Sequence, residues 1–420
     1  MRRLLKVCAA LLALLALTQL PFVYRRRQLA RLDAAIRALN SQRAATDEAG
    51  LADYPGALHV HSSLGGHSTG TLAEIVAGAR AAGLAYVVMS EHPSPLTDTR
   101  AATLSGTHEG VLFIPGSETS ESERDRLLTF GGPAAGGNPG ATQTPPADPP
   151  GAAADGAGVA PTQSLIDRAK AAGQLVFVAH PETFGGWREA RGFDGMEVYN
   201  LHADARHARP LTLFFDGLWS YRSFPQLLWA RFHQSPDENL RRWDALTAQG
   251  RRVVAVAGND AHANVGVSLQ DLTGKPLFRI KLDPYERSFR VVRTHALVPR
   301  GQNFDAVTLL AALSAGHAYV AFDLLCDATG FRLTAANGAE QKTMGDEIAL
   351  ASGVRLRIAA PVESRVVLVK DGRRAGEKVG REAEWALDER GVYRVECYLP
   401  QLPAPMNETP WIISNPIYVR

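Results

Sequence analysis

From Ala57 to Tyr319 the chain alternates short, nearly unbroken apolar runs with longer stretches whose apolar positions recur every three or four residues. The first pattern belongs to strands buried on both faces and the second to helices that cover them, so this segment predicts an α/β architecture. Strands are predicted at Leu84 to Met89, Val111 to Ile114, Leu175 to Ala179, Gly195 to Asn200, Val253 to Ala257 and Ala318 to Phe322. Thr71-Leu72-Ala73-Glu74 has the form of a capping box and opens a helix that ends at Gly83. Further helices are predicted from Thr162 to Gly173, from a Ser235 cap through Gln249, and from Phe304 to Ser314. The aromatic-rich stretch from Leu211 to Phe232 is expected to pack as helix against this core; a pocket wall or a membrane contact are the other uses of such a surface.

On either side the pattern changes. An apolar run from Val7 to Tyr24 follows Arg2, Arg3 and Lys6 and is closed by Arg25-Arg26-Arg27. With no small-residue cleavage site behind it, the segment 1–27 reads as an uncleaved membrane anchor rather than a secretory signal, close to the lower limit of about 17–25 residues for a spanning helix. Basic residues flank both ends, which leaves the orientation open; the globular part is expected to be extracytoplasmic (periplasmic). Leu29, Leu32, Ile36 and Leu39 then mark an amphipathic stalk helix within 28–54, packed on the globular part or held for a partner. Residues 131–161, rich in Gly, Ala and Pro, read as a surface insertion, either a lid or disordered. Beyond Asp323 short alternating runs such as Arg355-Leu356-Arg357-Ile358 replace the helical period, so residues 323–420 predict a β-sandwich behind an enzyme-like domain at 55–322.

Composition narrows the functions. The chain has 420 residues, 45% apolar and 21% charged, which suits two globular domains with appendages. A net charge of +2 argues against a partner bound through a large phosphate-attracting surface, and no nucleic acid is expected. Three cysteines, Cys8, Cys326 and Cys397, allow at most one bridge between the last two, and a thiolate metal site is not expected.

Chemistry concentrates at the ends of the predicted strands. His59-Val60-His61 puts two imidazoles on one face of a strand by its period of two, and the glycines that follow allow His67 to turn back toward them. His92, Glu118, His180, Asp260 and His262 stand at or just after later strand ends, where a parallel barrel builds its active site, and Asp260 and His262 repeat the spacing of His59 and His61. A polynuclear metal centre follows from eight such groups. Glu118 and Asp260 are also candidate catalytic residues, with His202 as proton shuttle. Arg188, Arg191 and Asn200 are candidate substrate contacts, the arginines because a guanidinium pair grips phosphate. Glu197 lies at the same strand end as Asn200 and could orient substrate. His108, His207, His233, His295 and His317 lack ligand partners in the sequence and are read as structural.

His59-Val60-His61, Glu91-His92, Gly116-Ser117-Glu118, Ala179-His180-Pro181 and Asn259-Asp260-Ala261-His262 resemble, in order, the motifs of the PHP (polymerase and histidinol phosphatase) domain. The resemblance covers roughly residues 55–322. It implies a distorted seven-stranded β/α barrel around two or three divalent metal ions, with Glu118 as the carboxylate that bridges two of them and His67 where the family carries Asp or His. Two positions depart from the family. Glu91 stands where it usually has Asp, and Arg126 where it usually has a further histidine, so the subsite that would use Glu118 and His180 is expected to be weak or empty. The ending Pro410 to Val419 resembles a branch that includes carbaryl-hydrolysing metallohydrolases.

The ligand types suit Zn, Mn or Fe. The expected function is a membrane-anchored, metal-dependent hydrolase of a small molecule, a phosphoesterase first and a carbamate, ester or amide hydrolase second. A non-catalytic, membrane-tethered metal-binding or sensor domain is the reading from a different class.

Overall fold

The computed structural model describes residues 2–46, 50–120, 124–132, 161–205, 209–270, 276–338, 340–350 and 353–420. The expected insertion at 131–161 lies outside the described residues apart from its two ends, and so does His207.

The central ring is built from β1 (Leu51–Val60), β2 (Tyr86–Met89), β3 (Val111–Ile114), β4 (Gly116–Ser120), β5 (Arg126–Gly131), β6 (Gln174–Val178), β7 (Gly195–Asn200) and β8 (Val254–Ala261). β1 pairs in parallel with β2, and β2 with β3, in registers that include Ala57↔Val87 and Val87↔Phe113. β4 continues β3 after Pro115 and stays beside β2 through a parallel Glu91↔Ser117 bridge. β5 runs antiparallel to both β4 and β6, then β6, β7 and β8 are parallel and β8 returns to β1 through Leu58↔Gly258, closing the barrel. Apart from β4, which is Gly-Ser-Glu-Thr-Ser, these strands carry apolar runs because both faces are covered: Leu58, Val88, Ile114, Phe177 and Val256 fill one buried cluster, while Val87, Met89 and Phe113 face a second one.

The helices begin and end where local chemistry requires. In α2 (Leu72–Ala82) the Thr71 side chain accepts from the Glu74 amide, Glu74 accepts from Thr71 in return, and Gly83 terminates the helix with φ 71°. Ser235 does not cap α4 (Asp237–Ala248): the cap position is Pro236, and the Ser235 hydroxyl bonds the Asp237 carboxylate. Asp305 and Thr308 make a capping box for α5 (Ala306–Ala315), two residues later than the sequence suggested.

The outer strands depart from the expected plan. β9 (Arg293–Pro299) pairs antiparallel with the first half of β1, and β10 (Ala318–Ala321) lies between β9 and β13 (Ile412–Ser414), near the C-terminus. β13 in turn pairs with β12 (Gly391–Tyr398), which pairs with β11 (Arg355–Lys370), so the C-terminal strands extend the same hydrogen-bonded sheet. Asn415 seals this join by accepting from the Ala255 amide and donating to the carbonyls of Ala255 and Ala318. Cys326 and Cys397 are both free and buried.

One unbroken helix, α1 (Arg2–Ser41), replaces the separate anchor and stalk. Its N-terminal part is long and apolar enough to cross a membrane, and signal sequences share that property. Leu29, Leu32 and Leu39 are buried in the same apolar cluster as Leu227 and Ala230, so the second half packs on the globular part. Between them, α1 meets α3 (Pro210–Ser220): Phe22 and Phe215 have ring centroids 5.2 Å apart, and the Trp219 indole donates to Gln19 at 3.1 Å.

Candidate metal centre

Three backbone distortions aim side chains at one point. His59, His180 and Asp260 take φ values of 65°, 47° and 47°, a region costly for residues with a Cβ. At His59 the register of β1 shifts against both β2 and β8, so a bulge interrupts the alternation. The period of two is therefore not what pairs His59 with His61: Ala57 and Val60 both join the cluster of Val87, Met89 and Phe113, and the extra residue between them is the ligand candidate. Gly66, with φ 78°, turns the chain after Leu64.

Glu118 is the hub. Its Oε2 lies 3.2 Å from His59 Nε2, 3.4 Å from His61 Nε2 and 3.2 Å from His92 Nε2, while Oε1 lies 3.5 Å from His180 Nε2. Asp260 is the second carboxylate, at 3.4 Å from His59 Nε2 and 3.5 Å from both His61 Nε2 and His180 Nε2. His59 Nε2, His61 Nε2, His180 Nε2, Glu118 Oε2 and Asp260 Oδ2 are buried and make no hydrogen bond. Such orphaned atoms are expensive unless something else satisfies them. Metal bonds of about 2.0–2.2 Å at tetrahedral angles hold two ligand atoms about 3.3–3.6 Å apart, which is the spacing seen here. The donor set fits divalent metal ions.

Each residue offers one ligand atom, and among the described residues three groups are close enough to hold an ion: His61 with His92 and His262, His59 with His61 and Glu118, and His59 with His180 and Asp260. The first and third share no residue, and Glu118 lies between them.

Behind the ligands, other groups fix their orientation. His59 Nδ1 is 2.6 Å from Glu197 Oε1, whose other oxygen accepts from the His180 amide and the Asn200 side chain, each at 3.0 Å. His262 Nδ1 is 2.8 Å from the Asp260 carbonyl, which makes Nδ1 the donor and leaves Nε2 for a ligand. Glu91 is buried and accepts from the Ser62 amide and the Thr103 hydroxyl, which holds the loop after His61. Burial by itself would lower the His59 pKa, but Glu197, Asp260 and Glu118 raise it well above its ordinary value. Burial drives His61 down to about 3. Glu118 and Asp260 would be raised by burial, yet His59 and the neighbouring imidazoles hold both well below the carboxylate range, ready for a cation.

The remaining candidates fall in different places. His67 is exposed, with its ring 4.4 Å from that of His92, and belongs to none of the three groups. His202 is half-buried with its ring 5.1 Å from that of His262. Asn200 is spent internally, donating to Glu197 and accepting from the Ala203 amide, which leaves little for a substrate. Arg188 and Arg191 are exposed and line a separate cleft with Arg242 and Arg251, away from the groups around Glu118. Arg126 NH1 lies 3.2 Å from Glu118 Oε1, so a guanidinium faces the hub. Glu182, 3.5 Å from His180 Nδ1, and Tyr285, whose hydroxyl donates to the His61 carbonyl at 2.5 Å, escaped sequence reasoning. Glu182 was signalled only by closeness to His180, and Tyr285 by nothing.

No protein-family model matches the chain, and no curated protein matches it either. Among solved structures it is similar to a two-domain protein containing a predicted PHP-like metal-dependent phosphoesterase from Bacteroides vulgatus, at 13% identity and a TM-score of 0.40, over 89% of this chain and 98% of that one. The likeness is too loose to transfer anything from that protein to this chain.

Proposed function

We propose that the protein is a membrane-anchored hydrolase that uses two divalent metal ions to cleave phosphoesters. The observation that carries this reading is the set of buried, unpartnered donor atoms on His59, His61, His180, Glu118 and Asp260 at ligand spacing. The reading of the ring as seven strands, with β3 and β4 counted as one, the C-terminal strands read as a sandwich, and the retention of α1 as an anchor belong to the same proposal. α1 supports it by continuing without a break into a helix whose Leu29, Leu32 and Leu39 are buried.

His61, His92 and His262 would hold one ion and His59, His180 and Asp260 the other, with Glu118 between them. Imidazole and carboxylate ligands suit Zn, Mn or Fe. A metal pair supplies Lewis acidity, an activated water and a clamp on entering and leaving oxygens. The chain's own groups do the rest. Glu197 keeps His59 Nε2 directed inward, and Arg126, 3.2 Å from Glu118 Oε1, offers a positive charge with which a phosphoryl oxygen can be held. His202, whose ring lies 5.1 Å from that of His262, would give a proton to the departing oxygen.

Turnover of p-nitrophenyl phosphate and of an aryl carbamate panel by metal-loaded protein tests this. Phosphate ester cleavage is expected; carbamate cleavage alone would replace the substrate class, and no turnover with the metal bound would leave a binding module.

A further inference from the structure

A cavity of about 280 Å³ adjoins the centre, and its composition is lopsided. One end is formed by Asp260, His262 and His202. The walls are mostly apolar, with Leu213, Gly217, Tyr221, Leu228, Trp229 and Phe232, and the exposed Val265 and Leu282 also border it. Of the polar side chains there, Asp283 accepts from the Asn264 and Val265 amides and Asn259 donates to the Ser288 and Val292 carbonyls. Among the described residues, Arg231 at the cavity pairs with Asp216, and Arg287 bonds the Tyr221 hydroxyl. A sugar or nucleotide would find few partners along such walls, whereas an alkyl chain would find a dry surface.

The wall is also the element that touches α1. Leu213 and Gly217 of α3 face the cavity, while Leu211, Phe214 and Leu218 form an outer stripe that is 75%, 63% and 68% exposed. The stripe sits where the apolar run of α1 ends, because Arg25 pairs with Asp216 at 2.9 Å and Arg26 bonds the Trp219 carbonyl and the Ser223 hydroxyl. An anchor in a bilayer would therefore bring the stripe to the lipid surface, with the cavity behind the same helix and the basic Arg25-Arg26-Arg27 at headgroup level.

We infer that the substrate is an amphiphilic phosphoester drawn from the bilayer, its alkyl chain in this cavity and its phosphoryl group at the metal centre. This rests on the hydrolase reading for the reaction, but not for binding. In the reaction a water oxygen bonds to phosphorus as the bond from phosphorus to the alkyl oxygen breaks, and that oxygen takes a proton to leave as the alcohol.

The test uses the full chain in lipid nanodiscs and begins with calorimetric binding of hexylphosphonate and ethylphosphonate, which needs no turnover. A buried methylene is worth about four-fold in affinity, so the longer probe should bind at least ten-fold tighter. A Cβ at Gly217 meets nothing within 4 Å, so Gly217→Leu can fill the cavity without strain and should collapse the ratio toward one. Leu213→Ala should instead move the optimum to longer chains. Equal binding of the two probes by wild type, or an unchanged ratio in both variants, overturns the inference even if short phosphate esters are hydrolysed. A preserved ratio with no turnover refutes only the hydrolase reading. For the source, phosphate release from phosphatidic acid in the nanodisc bilayer should fall about ten-fold in the Phe214→Glu/Leu218→Glu variant relative to its release from hexyl phosphate in solution. Equal effects on both would overturn the bilayer as the source.

Discussion

Glu197 grips His59 from behind, with Oε1 2.6 Å from Nδ1, so that Nε2 faces Glu118 and Asp260. The two residues come from β7 and β1, which are not neighbours; β8 lies between them, and Gly258 of β8 lets them meet because a side chain there would overlap the Glu197 carboxylate. Glu197→Gln keeps the shape and removes the charge, and is expected to weaken metal affinity about 10–100-fold. Gly258→Ala should do the same by displacement. Metal titration of both variants checks this, and wild-type affinity in either would remove Glu197 from the account.

Arg126 stands 3.2 Å from Glu118 Oε1, on the side of the hub that also faces His180. Arg126→His should let the chain bind one more ion than wild type, read as metal per chain by elemental mass spectrometry. Unchanged stoichiometry would show that the arginine does not replace a ligand.

A second charge cluster ties the barrel to its outer strands. His295 lies 2.8 Å from Asp53 Oδ1 and 3.2 Å from Asp323 Oδ2; Arg332 pairs with the other oxygen of Asp53, and Arg293 shares Asp323 Oδ2 with His295. Burial alone would lower the His295 pKa, but Asp323 and Asp53 raise it to about 9 from an ordinary 6.5. A raised folded-state value means the contribution is complete below the unfolded pKa and is lost as pH rises through 9. It amounts to roughly 3 kcal/mol. Asp53 has the opposite sign: burial would raise it, yet His295 and Arg332 hold it at about 2, so its share is present above its unfolded value and lost as pH falls through 2. Urea unfolding between pH 6.5 and 9 should therefore show stability falling more steeply in wild type than in His295→Gln. Parallel profiles would contradict this.

Part of the centre was legible because a parallel barrel delivers its chemistry at strand ends, and apolar runs that stop at His180 or before Asp260 announce such ends. The bulge was not legible, since a left-handed His59 leaves no mark in hydrophobic alternation. Nor was the join made by Asn415: the ending Pro410 to Val419 carries a resemblance alone, and nothing local ties Asn415 to the Ala255 it bonds, 160 residues away. The aromatic stretch gave an ambiguous pattern for a physical reason. Phe215 packs on α1 while Trp229 and Phe232 line a cavity, and both uses demand the same residue types.

The account stands most directly on the number of metal ions per chain. Wild-type protein, saturated and desalted, should carry two divalent ions, and His59→Ala should lose at least one of them while remaining folded by circular dichroism. Fewer than one ion in folded wild type, or full retention in His59→Ala, would contradict it.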